Sequence, residues 1–499
     1  MKKIKDLVEL LEKNNLLIDA SIKDEEIGSL TYNSKEVEED SLFFCKGAAF
    51  KEAYLDDAIE RGARAYIAEK DYGRDLSKII VKDIRKAMPL IGSFFYDYPQ
   101  DKLFIIGVTG TKGKSTTVIM LKDILDRKLL KEDRKKAGII SSIKTYDGFE
   151  EYESSLTTPE SLPLLKNLYR AVEAGLEYMI IEVSSQALKY DRVDLINFDM
   201  GAFLNISEDH ISPIEHPDFE DYFSSKLSLI DQSKCLVYNR DMDFLERVEE
   251  RAKDKETISF SLKNTSDFKG ENIEFIGGVL NFDLINEEKT SNFNLSLLGD
   301  YNVENALAAI AIARRLGVDD STINESLENL EIKERVNFIY SEDKRVVALV
   351  DFAHNRLSFE KSYEMIKNYF PDYRIVSIFG STGGKAINRR KDLGEVAGLY
   401  SDFICLVPDD QNFDNLDDIN KEIASHIRAE VDYTSYDDRQ RAIEAMMKDP
   451  KEKTIFFIAG KGSDATNMER GKSVKIVPDS QVAEKMIGLY DQKIREKIR

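Results

Sequence analysis

Cysteine is scarce in this chain of 499 residues: Cys45, Cys235 and Cys405 are the only three, and they stand far apart. That spacing excludes a disulfide framework and a zinc site built on cysteine, and it fits a reducing, cytoplasmic setting. Long apolar runs are also missing. None reaches the roughly 18 residues of a membrane span, so no membrane insertion is expected. The amino-terminal segment carries a helical stripe at Ile4, Leu7, Val8 and Leu11. Asp6, Glu9 and Glu12 interrupt it, which is unlike a signal peptide. Positive charge is in deficit, with 71 Lys and Arg against 92 Asp and Glu, a net charge of −21. No nucleic-acid partner is expected from that balance, nor adhesion to anionic lipid. An anionic substrate remains compatible with it, because a local cluster of Lys, Arg and backbone N–H binds phosphate inside an acidic protein. The chain shows no internal repeat and no low-complexity tract.

What is present is enough for several cores. At roughly 150 residues per domain the length suggests about three domains, and 42% of the residues are hydrophobic. The first hundred residues mix strands such as SLFFC (41–45) and AYIAE (65–69) with the helical stretch YLDDAIERGA, and end near the Tyr-Pro turn of FFYDYPQDK. A second unit starts at Leu103. Its apolar strands LFIIGVT, YMIIEV (178–183) and MGAFLN (200–205) alternate with amphipathic helices, the pattern of a parallel sheet covered on both faces. Residues 257–298 carry short alternating runs and predict an antiparallel insertion. NALAAIAIARRLG then reads as a helix ended by Gly317. A third unit starts near Arg335, with VVALVDF, IVSIFG, FICLVPD and TIFFIAG as strands that end in polar or glycine residues, where open α/β sheets place ligands. The expected fold class is α/β in three domains: a smaller amino-terminal α/β domain (1–100), a central P-loop domain (101–335) and a carboxy-terminal Rossmann-like domain (336–499).

The segment GVTGTKGKSTT (107–117) lies between a predicted strand and a predicted helix. Gly110 and Gly113 allow a tight turn that aims backbone N–H groups at phosphate oxygens, and the helix start adds partial positive charge. Lys114 reaches the β- and γ-phosphates, and Ser115 offers a hydroxyl to Mg²⁺. The full Walker spacing has glycine where this chain has Val108, so the match is to the shorter GxxGKS form. Gly110, Thr111, Lys112, Gly113, Lys114, Ser115 and Thr116 form the expected ATP cradle.

TGTKGKST, TTPESL, EVSSQAL, NISEDH, FEDYFSSK, GDYNVEN, DFAHN and AGKGSD follow one another in that order. Together they resemble the Mur ligases, and among them the MurE-type branch, which adds the third residue to UDP-N-acetylmuramoyl-L-alanyl-D-glutamate. The likeness runs from NSKEV near residue 33 to AGKG near 460. It implies a UDP-binding domain, an ATPase domain and a domain for the incoming amino acid.

The resemblance also assigns roles. Glu182, at the end of YMIIEV, joins Ser115 as an oxygen ligand for Mg²⁺; a solvent-facing glutamate at a strand end is the ordinary alternative. His210, one of four histidines beside His216, His354 and His426, helps to hold a second Mg²⁺; His216 has no assigned role and His426 is expected at the surface. Lys226 is implied to carry a carbamate derived from CO₂, which turns a cation into an anion that contacts Mg²⁺; a solvated lysine is the ordinary alternative. Lys114, Lys226 and His210 are thus the implied catalytic residues. Ser34, Thr157, Thr158, Ser184 and Arg192 match contacts to the UDP-muramoyl-dipeptide, although Lys35 and Tyr190 depart from the family's arginine and glutamine. Asn302, Arg335, Asp351 and His354 match nucleotide contacts. Asn302 also reads as a helix cap, the neighbours of Arg335 are altered, and Phe352 replaces a tyrosine.

The implied reaction is ATP-dependent amide ligation. The D-glutamate γ-carboxylate attacks the γ-phosphate, ADP leaves, and an amine displaces phosphate from the resulting acyl phosphate. L-lysine is the expected amine. Members that add meso-diaminopimelate neutralise its extra carboxylate with the arginine of a DNPR motif, and here DDQN (Asp409, Asp410, Gln411, Asn412) puts Asn412 in that place. Gly460 and Asp464 match further positions around the amino acid. Lys385, Arg389 and Arg390 could still supply a positive charge. A monomer is expected. Transfer of diaminopimelate or ornithine, a folate-type or other Mur ligase, and a P-loop ATPase without ligase activity stay open as alternatives. No Ser-His-Asp arrangement is visible in the sequence.

Overall fold

The computed structural model describes residues 1–47, 50–207, 215–276, 278–286, 289–330, 332, 337–384, 388–450 and 452–498. The chain divides into two compact units. One comprises Met1–Ile273, Asn281–Leu295 and Asp300–Asn329, and the other Glu274–Leu280, Ser296–Gly299 and Leu330–Arg499.

Besides a two-stranded pairing of Lys2–Lys3 with Glu26–Ile27, the first unit holds two larger sheets. The amino-terminal sheet runs Leu17–Ser21, Ser77–Val81, Ala63–Ala68, Ser41–Phe44, Ser29–Thr31, with the first strand antiparallel and the others parallel. Helix Ile4–Lys13 forms on the expected stripe, burying Ile4, Leu7 and Leu11. Helix Ile84–Phe95 packs against helix Ser161–Glu173 of the next sheet layer, and Ile4, Leu7, Met88 and Ile91 share one apolar cluster with Leu162, Leu165 and Met179. The Tyr-Pro turn at 98–99 therefore marks a chain reversal while the apolar core runs on across it.

The central sheet has eleven strands among the described residues. Its middle is parallel, in the order Gly138–Ile140, Tyr178–Glu182, Phe104–Thr109, Phe198–Phe203, Ser233–Asn239, Glu256–Ser261. Phe104–Thr109 lies between Tyr178–Glu182 and Phe198–Phe203, and later strands extend the sheet outward on both sides of it, so the chain switches sides there, the place where α/β sheets open a ligand crevice. The expectation for residues 257–298 is corrected in part. Glu256–Ser261 and the start of Phe268–Ile276 continue the parallel sheet. Only from Phe268–Ile276 through Val279–Asn286 to Lys289–Leu295 do two-residue connections require antiparallel neighbours.

The second unit is built on a sheet ordered Asn337–Tyr340, Val346–Asp351, Thr454–Ala459, Arg374–Phe379, Phe403–Leu406, Asp432–Ser435, antiparallel at the first pair and parallel beyond. The four predicted apolar strands are its four central members, and their interior residues are buried. Among the described residues no helix is long and apolar enough to cross a membrane.

Candidate active site

The glycine segment forms the connection between strand Phe104–Thr109 and helix Lys114–Lys131. Gly113 caps the helix with φ of 85°, and a Cβ there would stand 2.2 Å from Asn305 Oδ1. Both conformation and space therefore require glycine. Lys114 folds back over the loop, Nζ donating to the carbonyls of Gly110 (3.0 Å) and Thr111 (3.1 Å). Lys112 is exposed, its backbone N–H donating to Asn205 Oδ1 at 2.9 Å. Thr111 and Thr116 are buried. Strand register sets Glu182 and Ala202 on either side of Val108, so three strand ends converge under the loop.

Glu182 is buried and does not face solvent. Its Oε1 accepts from Ser115 Oγ at 3.1 Å and its Oε2 from the Ser142 N–H at 2.8 Å. Two oxygen donors side by side beneath a phosphate loop suit the hard, oxygen-seeking Mg²⁺. Ser142, whose hydroxyl lies 2.9 Å from that of Ser115, carries no signal in the sequence beyond a serine pair. His210 lies outside the described residues. Among the described residues no group of three or more His, Cys, Asp or Glu is clustered for a metal, so such an ion would draw its remaining ligands from elsewhere.

Lys226 sits on helix Phe219–Asp231, which Asp218 caps. Its side chain is buried rather than snorkelling: Nζ donates to the Gly110 carbonyl at 2.8 Å, contacts Thr109 Oγ1 at 3.5 Å, and lies 4.9 Å from the Tyr222 ring centre. Asn302 lies near the start of helix Asp300–Arg315, accepting from Asn305 Nδ2 at 3.2 Å. Asn305 itself packs on Gly113 and accepts from Thr117 Oγ1 at 3.4 Å, a loop contact the sequence reading missed.

The substrate candidates form a second group. Thr158 is buried, donates to the Glu182 carbonyl at 2.7 Å and accepts from the Ser184 N–H at 3.0 Å. Ser184 caps helix Ser185–Lys189. Arg192 donates to the Thr158 carbonyl (3.1 Å) and pairs with Glu160 at 3.0 Å, while its buried Nε has no hydrogen-bond partner. Thr157 is half-buried. Ser34 is buried at the start of a short turn in the amino-terminal sheet layer. Lys46, from that layer, pairs with Glu160 and was not singled out by the sequence reading.

Within the second unit, Asp351 ends its strand, accepting from Ser362 Oγ at 2.7 Å; burial raises its pKa above the usual carboxylate range. His354 is exposed, with Nδ1 donating to the Phe352 carbonyl at 2.8 Å. Asp409 lies beneath Gly460, and burial raises its pKa against the pull of Arg439 and Lys461. Asp410 accepts from Lys461 Nζ and the Met468 N–H, both at 2.7 Å. Gln411 accepts from Asn467 at 3.1 Å, and Asn412 from the Gly471 N–H at 2.7 Å. Asp464 accepts from the Thr466 N–H at 3.0 Å. Arg390 is buried and committed to Asp414 (2.7 Å) and Glu422 (2.8 Å). Arg335 and Lys385 lie outside the described residues.

One arrangement is not visible in the sequence. A Ser-His-Asp arrangement does exist: His216 Nδ1 donates to Asp221 Oδ2 at 2.6 Å, and Nε2 is 2.9 Å from Ser185 Oγ. The three come from separate places in the chain, so spacing could not reveal them. Ser185 and His216 are buried, which makes this a tie between helices and not an exposed nucleophile.

Residues 108–313 match the Mur ligase middle domain, and residues 334–462 the glutamate ligase domain of Mur ligases. The chain is 36% identical over 499 residues to a UDP-N-acetylmuramyl-tripeptide synthetase of Lactococcus lactis subsp. cremoris, covering 98% of this chain and all of that one. It is 37% identical over 456 residues to a UDP-N-acetylmuramoyl-L-alanyl-D-glutamate–L-lysine ligase of Streptococcus pyogenes serotype M28, covering 91% and 92%. Among solved structures, a UDP-N-acetylmuramoyl-L-alanyl-D-glutamate–2,6-diaminopimelate ligase superposes with a TM-score of 0.75 at 21% identity, over 96% of this chain and 99% of that one. A MurF ligase of Thermotoga maritima in complex with ADP superposes with a TM-score of 0.56 at 18% identity, over 96% and 100%. At these identities the two structures speak to fold.

Proposed function

We infer the activity from one premise: the chain belongs to the Mur ligase family. It is an ATP-dependent acid–amino-acid ligase of peptidoglycan-precursor synthesis. Within that class we propose that it joins L-lysine to the D-glutamate of UDP-N-acetylmuramoyl-L-alanyl-D-glutamate. The observation that carries the choice of amine is the 37% identity, over nine-tenths of both chains, to a relative named for lysine. The acidic DDQN segment supports it, because a second carboxylate on the amine would meet Asp409 and Asp410.

The proposed roles are supported by the resemblance and, for the described residues, by their positions. The loop N–H groups and Lys114 bind the β- and γ-phosphates of ATP and stabilise charge on the phosphoryl group as it transfers. Ser115 and Glu182 would hold Mg²⁺, with His210 and a carbamylated Lys226 proposed for a second ion. When bound, these ions would neutralise phosphate charge. Arg192 and the Thr157–Thr158 turn orient the muramoyl dipeptide, so that its γ-carboxylate attacks the γ-phosphorus and ADP departs. The lysine α-amine then attacks the acyl carbon, and phosphate leaves. Proposed domain limits are 1–100 for the uridine end, 101–335 for ATP and 336–499 for the amino acid.

The test is a panel. The chain is incubated with ATP, Mg²⁺, the UDP-muramoyl-dipeptide and either lysine, ornithine or meso-diaminopimelate, and kcat/KM is measured for each. Lysine should lead. Ornithine, one methylene shorter, should trail by about 10- to 200-fold if burial alone discriminates. A preference for diaminopimelate overturns the choice of amine, and phosphate release that needs no acceptor overturns the ligase.

A further inference from the structure

We propose that Tyr222 and His216 form a positioning relay that holds the Lys226 helix against both the phosphate loop and the Ser184–Ser185 turn. The inference rests on the reading of Lys226 given above and adds two residues to it. Tyr222 is fully buried, one helical turn before Lys226. Three groups meet on it. Its hydroxyl lies 3.1 Å from Thr111 Oγ1 in the loop. Lys226 Nζ lies over its ring, 4.9 Å from the centre. The His216 ring packs edge-on against it, with centroids 5.2 Å apart and planes at 75°.

His216 fixes the other end. Its two ring nitrogens reach Asp221, on the Lys226 helix, and Ser185, the first residue of the helix that Ser184 caps. Lys189, from that same short helix, reinforces the tie by donating to Asp221 Oδ2 at 2.6 Å and to the Glu215 carbonyl at 3.0 Å. Thr111 is in turn bonded to the Ser207 N–H at 3.0 Å. A buried histidine with both nitrogens engaged and a buried phenol with its hydroxyl engaged leave little freedom for the lysine between them. Neither residue touches the reacting atoms. Both set where the Lys226 amine stands relative to the loop, and groups in such supporting positions commonly change metal affinity or activity by about 10- to 100-fold.

Two variants separate this role from a merely structural one. Tyr222→Phe keeps the ring and removes only the link to Thr111. His216→Gln keeps one hydrogen-bonding arm and loses the other. The purified full chain is equilibrated with ¹³C-bicarbonate, and the carbamate carbon signal is followed by NMR as bicarbonate is raised. Ligation kinetics and thermal unfolding are measured on the same samples. Tyr222→Phe should lower kcat per folded enzyme about tenfold or more, with KM for the UDP-muramoyl-dipeptide changed less than about twofold. His216→Gln should raise the half-saturating bicarbonate for the carbamate signal by about tenfold. An unchanged kcat in Tyr222→Phe, or an unchanged half-saturation in His216→Gln, overturns the relay whatever happens to Tm. A wild-type chain that ligates but shows no carbamate signal overturns the reading of Lys226 and the relay with it. Absence of ligation by a wild-type chain that does show the signal counts against the proposed reaction alone.

Discussion

Replacing Gly113 by alanine tests the phosphate loop at its tightest point. Two costs arise there. Alanine at φ of 85° is strained by about 1–2 kcal/mol, because its Cβ crowds the following carbonyl. The new methyl would also stand 2.2 Å from Asn305 Oδ1, so Asn305 must move. Moving it weakens its hydrogen bonds with Thr117 and Asn302, worth about 0.5–1.5 kcal/mol together. The sum is about 1.5–3.5 kcal/mol, or about 10- to 400-fold in an equilibrium constant. The loop can relieve the strain by leaving its nucleotide-binding shape, and the cost then appears as weaker ATP binding. If the loop holds, the cost appears as lower stability. The assay therefore measures both on one protein: the Kd for ATP by calorimetry, and the unfolding free energy by denaturant titration. In an Asn305→Ala background, Gly113→Ala should cost only the backbone part, about 1–2 kcal/mol, because the side chain it displaces is already absent. Combined losses below about 0.5 kcal/mol in Gly113→Ala would refute the argument.

Three further outcomes are expected. Lys114→Ala should keep its unfolding temperature and lose about two to three powers of ten in ligation rate, since it removes a charged donor aimed at the transferring group; near-normal product formation would sink the ATP-site assignment. Burial pushes the thiols of Cys45 and Cys405 up to about 12 and that of Cys235 up to about 11. A thiol reagent at neutral pH should therefore modify none of the three in the native chain and all three after denaturation, as counted by mass spectrometry. The raised pKa of Asp409 means that its stabilising contribution is full below the ordinary aspartate range and is lost as pH rises through the folded value. Asp409→Asn should hence unfold at an equal or higher temperature than the wild type at pH 7.5, with the gap closing in acid; a variant less stable at both pH values contradicts that sign.

Much of the site was legible because it is local. A strand, a glycine turn and a helix start are contiguous at 104–131, and the strand-end position of Glu182 follows from its apolar run. What was not legible depends on packing between distant segments. Nothing in a helical sequence says that Lys226 is buried, because lysine usually reaches solvent. Asn305 reaches the loop only because helix Asp300–Arg315 packs on helix Lys114–Lys131. Ser185, His216 and Asp221 meet through two helices and the segment between them. The sequence break at residue 100 suggested separate bodies, but apolar faces on helices Ile84–Phe95 and Ser161–Glu173 close one core across it. Strand Glu256–Ser261 was misread as antiparallel because its short run, exposed at its start and buried at its end, carries no sign of which way its two neighbours run.

The acidic segment at 409–412 bears on the proposed choice of amine through its packing. Asp409 is buried under Gly460, where a Cβ would stand 2.3 Å from its carboxylate, so the glycine keeps that space open. Arg439, fully buried, is held by Asp479 at 2.7 Å and donates to the Ala459 carbonyl at 2.6 Å. Lys461 is spanned by Asp410 at 2.7 Å and Asp464 at 3.6 Å. Four carboxyl groups thus surround two cations, so acidic groups outnumber basic ones among these side chains. Arg390 does not offset it, being occupied by Asp414 and Glu422. The aspartates cannot swing away from an incoming group either. Asn467, Met468 and Gly471 bond residues 410–412 through backbone and side chain, and Asp410 and Asn412 hold φ of 48° and 50°. Charge that is fixed in place discriminates between ligands more sharply than charge that can rearrange, because the wrong ligand finds no relaxed alternative. The ε-ammonium of lysine would lower the repulsion among these carboxylates, and the distal carboxylate of diaminopimelate would add to it. On the proposed reading, selectivity for lysine would rest on carboxyl groups held by the hairpin Thr466–Lys475, and not on any single aspartate of the motif.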